Sequence, residues 1–422
     1  MATLVKEKEA SALVSTFRFF KKLTFTFEEE IQTVIQYWIR ILNIKLGWID
    51  AFDTFVVNYA ITIFMFNTFR SSLELRKVLY GHTNVAWSID YSTFDGNQLI
   101  CSGSEDCTVR VWDVENVKQI NSFEGHTKPV YCVKFSPYHY YNKRRNVVCS
   151  SSDDNTIRFW DIKNTQLQTL NKHTSYICGL EFSSFNGGQY LCSGSNDKTV
   201  RLWDVETFEL LHVFNGHENG IWCVDVSPLQ SNSNDDNRKS NSIGVIGGNG
   251  YTICSGSFDN TIRTWDIETT KQLIAFEGHE DGIRSVKYGS NELGIYGGAN
   301  TILSGSDDKS VRLWDIRSGQ QIQMFNGHTD DVRTVEYSPF AINNSEIGGN
   351  SAVICSGSWD NSIRFWDIRS NKKELTVINE YYGIYCLKFL RLNIQENNNK
   401  KRIACGVSLC YCLDDYSIRV CG

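Results

Sequence analysis

The sequence predicts an all-β chain: a seven-bladed β-propeller of four-stranded antiparallel blades, preceded by a short α-helical N-terminal extension. Three observations carry this expectation. The pattern SGSDDKSVRLWD at Ser304 to Asp315 returns as SGSEDCTVRVWD, SSSDDNTIRFWD, SGSNDKTVRLWD, SGSFDNTIRTWD and SGSWDNSIRFWD, ending at Asp113, Asp161, Asp204, Asp266 and Asp367. Such self-similarity at intervals of a few dozen residues signals a stacked array rather than unrelated domains. A Gly-His pair stands upstream of most copies, as Gly81-His82, Gly125-His126, Gly216-His217, Gly278-His279 and Gly327-His328, while Lys172-His173 keeps only the histidine. Finally, each unit holds four short apolar runs separated by turn residues.

Residues 1–72 stand outside the repeat. No secretory signal is expected, because Lys6, Glu7, Lys8 and Glu9 are not followed by a short apolar core and a small-residue cleavage site. Glu28 to Asn43 predicts a helix: Ile31, Val34, Ile35, Trp38, Ile39 and Leu42 recur at helical spacing, and Glu28 to Glu30 suit its positive N-terminal end. A second helix is expected from about Trp48 to Tyr59. The apolar run Phe55 to Phe66 is broken by Asn58 and falls short of the roughly 20 residues a membrane span needs. A helical appendage is therefore favoured over a membrane-associated segment, and no stable membrane insertion is expected.

The repeats begin at residue 73. In the second unit Val130 to Phe135, Asn146 to Ser150, Thr156 to Trp160 and Gln166 to Leu170 are β-branched or apolar runs between turn residues, the signature of strands. One four-stranded sheet cannot bury both its faces, and closing several into a ring solves that problem. Every Trp-Asp is followed by a fourth strand such as Lys118 to Phe123, but the seventh copy, DDYSIRVCG, stops at Cys421-Gly422. Leu73 to Tyr80 lies before the first Gly-His, where a fourth strand belongs. The expected domains are thus an extension, 1–72, and a propeller, 73–422, whose blade seven is closed by strand 73–80, leaving no open edge.

Polar runs at Pro228 to Gly250, around Asn343 to Asn350 and at Asn397 to Arg402 fall between first and second strands and predict solvated loops on one face. Lys143, Arg144 and Arg145 would join them as a charged turn. The formal charge of −6 lacks the basic field of a general nucleic-acid binder, so no direct nucleic-acid contact is expected. Among 14 cysteines, Cys101, Cys149, Cys192, Cys254 and Cys355 share one strand position on different blades, which reads as small buried side chains rather than disulfides. No zinc spacing occurs, and neither metal nor cofactor is expected.

By its Gly-His and Trp-Asp signatures the chain resembles the WD-repeat β-propeller family over roughly residues 73 to 422. The resemblance implies a buried network of Gly-His histidine, strand-two serine, turn aspartate and strand-three tryptophan in each blade. Its members here are His82, Ser102, Asp106 and Trp112; His126, Asp154 and Trp160; Asp197 and Trp203; His217, Asp259 and Trp265; His279, Asp308 and Trp314; and His328, Asp360 and Trp366. Ser, His and Asp can also form a nucleophilic triad. An active site is needed once, however, and recurrence in every unit favours a structural role. Blade seven departs, with no Gly-His, Tyr411 for serine and Cys421 for tryptophan, and is expected to be the least stable.

Function must then come from positions that vary between copies. The resemblance places one such residue per blade at the rim of the central opening: Trp87, Tyr131, Cys178, Trp222, Arg284, Arg333 and Tyr385. Glu105, Asp153, Asn196, Phe258, Asp307, Trp359 and Asp414 stand before the turn aspartates. Aromatics and arginines mixed with acids are typical of interaction hot spots, so a non-enzymatic intracellular scaffold of the cytoplasm or nucleus is expected, holding protein or peptide partners with a basic or aromatic anchor. Trp314-Asp315-Ile316-Arg317 and Trp366-Asp367-Ile368-Arg369 also match the WDxR pattern of cullin-RING ligase substrate receptors, which would give Arg317 and Arg369 an adaptor contact. The regular units resemble scaffold subunits of chromatin-modifying and RNA-processing assemblies as well.

Overall fold

The computed structural model describes residues 63, 65–93, 96, 98–163, 165–227, 251–289, 301–339, 343–344, 347–348, 353–368, 374–391 and 407–422. The expected helices at 28–43 and 48–59 and the polar runs at 228–250 and 397–402 lie outside the described residues. By its internal contacts the chain divides between Phe64 and Met65.

The unit from Met65 to Gly422 consists of seven four-stranded antiparallel sheets. Blade one is Ala86–Ser92, Leu99–Ser104, Val109–Asp113 and Lys118–Phe123, from the innermost strand outward. Blade two follows the same order with Val130–Phe135, Val147–Ser152, Ile157–Asp161 and Thr165–Leu170. The innermost strand of each blade packs beside that of the next, and the Ile384–Arg391 strand of blade seven packs beside Ala86–Ser92, so the ring is closed. Blade seven takes its outermost strand from the other end of the chain: Leu75–Leu79 pairs antiparallel with Ile418–Cys421, Leu79 opposite Ile418.

The core lies between blades. The second strands Leu99–Ser104, Val147–Ser152 and Thr301–Ser306 are buried at every residue, because both faces of the inner sheet meet a neighbouring blade. Gly103 shows how close that approach is: a Cβ there would stand 2.7 Å from Val130 of the next blade. The cysteines sharing this strand are fully buried, and every cysteine among the described residues is free.

Two local features differ from the sequence expectation, and a third agrees with it. Pro137–Lys143 is a helix, with Pro at its first turn and Arg144 as a left-handed C-cap (φ 50°), so the basic string ends a helix instead of forming a plain turn. Proline suits that position because its missing N–H would have no intrahelical partner. The blade-six run holds a small ladder, Asn343–Asn344 against Ile347–Gly348. A helix at 65–72 precedes the first strand, and its Phe66 and Phe69 are buried against Phe365, with ring centroids 5.3 and 6.0 Å away.

Candidate functional site at the channel mouth

The seven rim positions share one backbone device. In every innermost strand the pairing register shifts across a single residue: Trp87 between Ala86 and Ser88, Tyr131 between Val130 and Cys132, Cys178 between Ile177 and Gly179. The same holds at Trp222, Arg284, Arg333 and Tyr385. A bulged residue has no ladder partner and is re-aimed relative to its neighbours. The fold thereby frees one side chain per blade, and the sequence varies that side chain while repeating the backbone around it.

The freed side chains pack on one another. Trp87 meets Tyr385 at 4.9 Å, Tyr131 at 5.5 Å and, across the ring, Trp222 at 6.1 Å. Tyr131 lies 5.7 Å from Trp222, which lies 5.6 Å from Phe258, and Tyr385 lies 5.7 Å from Trp359. The contacts are mostly edge-to-face, the arrangement that ring quadrupoles favour. Arg284 sits over both Trp222 and Phe258, 4.6 and 4.5 Å from their centroids, and bonds Asp307 through Nε at 2.8 Å. Arg333 lies 3.3 Å above Trp359 and bonds Asp331 at 3.1 Å. Burial and then the nearby Arg284 draw the Arg333 pKa down to about 10, while burial and then Asp307 push the Asp331 carboxyl up. The mouth is thus an aromatic lid stitched by two arginines through three cation–π contacts. Trp87 Nε1, Trp359 Nε1 and Arg333 Nε are buried donors without a hydrogen-bond partner among the described residues.

Below the lid a cavity of about 130 Å³ is ringed by small side chains that include Ser88, Cys132, Gly179 and Cys223. One step deeper each blade contributes a charged residue: Asp90, Lys134, Glu181, Asp225, Lys287, Glu336 and Lys388. Lys134 bonds Glu181 at 2.5 Å, Lys388 bonds Glu336 at 2.6 Å, and Lys287 bridges the two glutamates at 3.6 and 3.8 Å. Burial opposes ionisation of Glu181, but the three lysines outweigh it and hold its pKa at about 2. Asp225, chiefly through burial, is pushed up to about 6. Three lysines and two glutamates of this belt are paired with one another, while Asp90 accepts from Phe135 N–H and Asp225 from Tyr288 N–H, each on the innermost strand of the next blade.

The repeated Ser, His, Asp and Trp form closed hydrogen-bond chains. In blade one Trp112 N–H donates to Ser102 Oγ at 2.8 Å, Ser102 stands 2.7 Å from His82 Nε2, and His82 Nδ1 stands 2.8 Å from Asp106. A carboxylate can only accept, so the imidazole proton is on Nδ1 and Nε2 accepts from the serine. His173 keeps its bonds to Asp197 and Ser193 although it lacks the preceding glycine. Equivalent bonds join His126 to Asp154, His217 to Asp259, His279 to Asp308 and His328 to Asp360. Two further members are visible in every copy of the sequence yet stand outside the implied network. A Thr or Ser two residues after the aspartate donates to it, as Thr108 does at 2.6 Å, and a strand-three arginine bonds the turn; in blades one, two, four, five and six it also reaches the outer strand, as Arg312 joins Asp308 to Gln321.

Blade seven is rewired. Glu380 occupies the histidine position, four residues before Ile384 as His217 is before Ile221. Tyr411 O–H donates to Glu380 at 2.5 Å and lies 3.3 Å from Cys421 Sγ; Arg419 ties Glu380 at 2.6 Å to Asp415 at 3.1 Å. The tyrosine ring, 1% exposed, replaces bulk lost with the missing tryptophan. Burial above all holds its phenol far above the ordinary range.

Of the turn residues, Asp153 pairs with Lys128 at 3.2 Å and Asp414 accepts from Tyr385 at 3.2 Å. Arg317 is exposed in the turn between the outer strands of blade five; Arg369 lies outside the described residues. No helix among the described residues is long and apolar enough to cross a membrane.

A closed seven-bladed ring with one variable side chain per blade gathered at its mouth defines a propeller whose differences between blades lie at that mouth, Cys178 and Arg333 buried there and the other five half-buried. The family described as WD domain, G-beta repeat matches residues 73–113, 117–161, 164–204, 208–266, 270–315 and 319–367, and the chain belongs to it. It is 30% identical to nuclear distribution protein PAC1 of Fusarium vanettenii over 230 residues, 51% of this chain and 49% of that protein. It is 28% identical to cell division control protein 4 of Saccharomyces cerevisiae, over 50% of this chain and 21% of that protein. With the peroxisomal targeting signal 2 receptor of Mus musculus it shares 40% identity over 57 residues, 14% of this chain and 18% of that one. The chain thus spans about half the length, or less, of these relatives.

Proposed function

We propose that this protein is a non-catalytic scaffold or adaptor that holds a protein or peptide partner on the channel-mouth face, inside a multiprotein complex of the cell. The aromatic lid carries the reading: bulges present four rings and two arginines at one mouth, and large rigid aromatics and arginine are the side chains from which binding hot spots are built. Its unpaired indole and guanidinium N–H groups would gain acceptors from a partner's backbone carbonyls. A role without catalysis fits the serine of each Ser-His-Asp set, which is buried between an imidazole and an indole. That one relative is named a receptor for a targeting signal agrees with a role in recognising a partner.

The test is affinity purification after cross-linking, comparing the wild type with a Trp222→Ala, Tyr131→Ala variant of the same melting temperature. Loss of specific partners supports the reading; an unchanged set removes it. We further propose the domain division expected from the sequence, a helical extension over 1–72 and a propeller over 73–422. The exposure of Arg317 favours a second reading, a ligase-adaptor contact at the WDxR turns. Arg317→Ala with Arg369→Ala would then abolish co-purification of a cullin adaptor, and absence of that adaptor from the wild-type purification would discard it.

A further inference from the structure

Among the exposed large apolar side chains of the described residues, Leu75, Ile120, Val213, Leu273 and Ile322 are scattered one to an outer strand, and Val117 and Tyr141 stand alone in a turn and on the short helix. The exception is a group on blade seven and its junction with blade one: Tyr381 (88% exposed), Tyr80 (73%), Tyr382 (44%) and Tyr416 (43%). The loop holding Tyr381 and Tyr382 is joined to the turn holding Tyr416 by Asp414 N–H donating to Gly383 O at 3.2 Å, and Leu79, just before Tyr80, pairs with Ile418, just beyond that turn. All four therefore belong to one end of one blade, beside the mouth that Tyr385 lines.

The same backbone positions are polar elsewhere. Blades four and five carry Glu218-Asn219 and Glu280-Asp281 where blade seven has Tyr381-Tyr382, and Asn260 and Lys309 where it has Tyr416. No packing demand explains rings that face water, and clustered exposed apolar surface marks an interaction site. Charge states what fits. Among the described residues on this face of blades four to seven, Glu218, Glu280, Asp281, Asp330 and Asp414 are exposed, against a single exposed lysine, Lys309. Arg284 and Arg333 are already bound to Asp307 and Asp331.

We propose that the tyrosine face of blade seven is a docking surface for an extended, arginine- and lysine-bearing segment of a partner protein. Its cations lie over the tyrosine rings and its remaining charge faces the acids of the adjoining loops. Tyrosine faces attract cations through their quadrupole, and arginine adds planar stacking. Uniform acidity disfavours a second copy of this chain, since like surfaces would meet. The surface adjoins the lid through Asp414, which accepts from Tyr385, but none of its four tyrosines is a lid residue, so the two readings can fail independently.

The probe is a fluorescein-labelled arginine–glycine repeat peptide, titrated by anisotropy into the full chain, with a glutamate–glycine peptide as control. Tyr381→Ser with Tyr416→Ser alters only exposed side chains and should leave melting unchanged while weakening the arginine peptide at least about tenfold, the scale of one to two cation–π contacts. Tyr381→Phe with Tyr416→Phe keeps the rings and should bind as the wild type does. Trp222→Ala with Tyr131→Ala should also leave this affinity intact. The proposal is overturned if the serine variant binds as tightly as the wild type, if the glutamate peptide binds equally well, if only the Trp222 and Tyr131 variant loses the probe, or if sedimentation shows a dimer that the serine variant dissolves.

Discussion

Blades one to six and blade seven solve one problem with different side chains. In each, the turn before strand three must be pinned to the loop entering strand one. Six blades run tryptophan, serine, histidine and aspartate in series, a chain of neutral hydrogen bonds ending on a buried carboxylate. Blade seven keeps the Arg–Asp–Ser half, Arg419, Asp415 and Ser417, and replaces the other half with Glu380, Tyr411 and Cys421. The two halves are separable modules: one fixes the turn, the other fills space beneath the loop. Serine with tryptophan and tyrosine with cysteine are alternative fillings of that space.

The largest effect should come from removing a turn aspartate. Asp308→Ala strips His279, Ser310 and Arg312 of their common acceptor, and breaking such a buried set costs about 3–5 kcal/mol. Asp415→Ala leaves Arg419 still tied to Glu380, so we expect a loss of about 1–2 kcal/mol. Urea midpoints for the two variants check the order; equal losses would break the comparison.

Next in size is the exchange of fillings. Tyr411→Ser alone opens a cavity and should cost about 3 kcal/mol, while Cys421→Trp alone overpacks the site by a similar amount. The double substitution rebuilds the pairing of the other six blades. It should be more stable than the sum of the singles by about 1–3 kcal/mol, the range of coupling between touching residues. Simple additivity in a thermal-denaturation cycle would show that bulk is not what the two pairs share.

Acid should separate the blades less strongly. Burial first, against the pull of their aspartates, lowers the pKa of His82, His126, His173, His217 and His279 from 6.5. The folded state therefore holds these imidazoles neutral while the unfolded chain protonates them. Their contribution is complete above pH 6.5 and is lost as pH falls from there through the folded pKa values. Burial also opposes ionisation of the partner aspartates, yet bonds from histidine, hydroxyl and backbone hold them far below 3.8, so a second loss begins only under that value. Blade seven has no histidine at that position. Between pH 7 and 5, amide protection should fall more in the innermost strands of blades one to five than around Leu387 in blade seven.

The ring was legible because repetition is a one-dimensional signal: Trp-Asp and Gly-His recur, and the strand runs between them lie where the strands are. The chemistry of blade seven was half legible. Tyr411 and Cys421 stand out as departures, and Glu380 emerges only by counting back from Ile384 to the position His217 holds before Ile221. The lid could not be read at all beyond the identity of its members. Trp87 touches Trp222 from three blades away, a contact set by ring curvature and by a bulge that no residue type announces. The helix at Pro137 did carry a signal, serine then proline, hidden by the expectation of a loop.

The smallest predicted effect concerns the glycine of Gly-His. A Cβ at Gly81 would come within 2.7 Å of Trp112, whereas blade three carries Lys172 at the same place and keeps its histidine bonds. The loop in blade three has therefore already opened enough to admit a side chain. Lys172→Gly gains no room it needs and returns backbone freedom to the unfolded chain, so it should destabilise by only about 0.5–1 kcal/mol. Gly81→Lys must instead move an indole or a loop and should cost about 1–3 kcal/mol, as overpacking does. If melting temperatures showed both changes to be equal, the glycine would be conformational in every blade, and the contact with tryptophan would not be the reason five of the six histidines follow one.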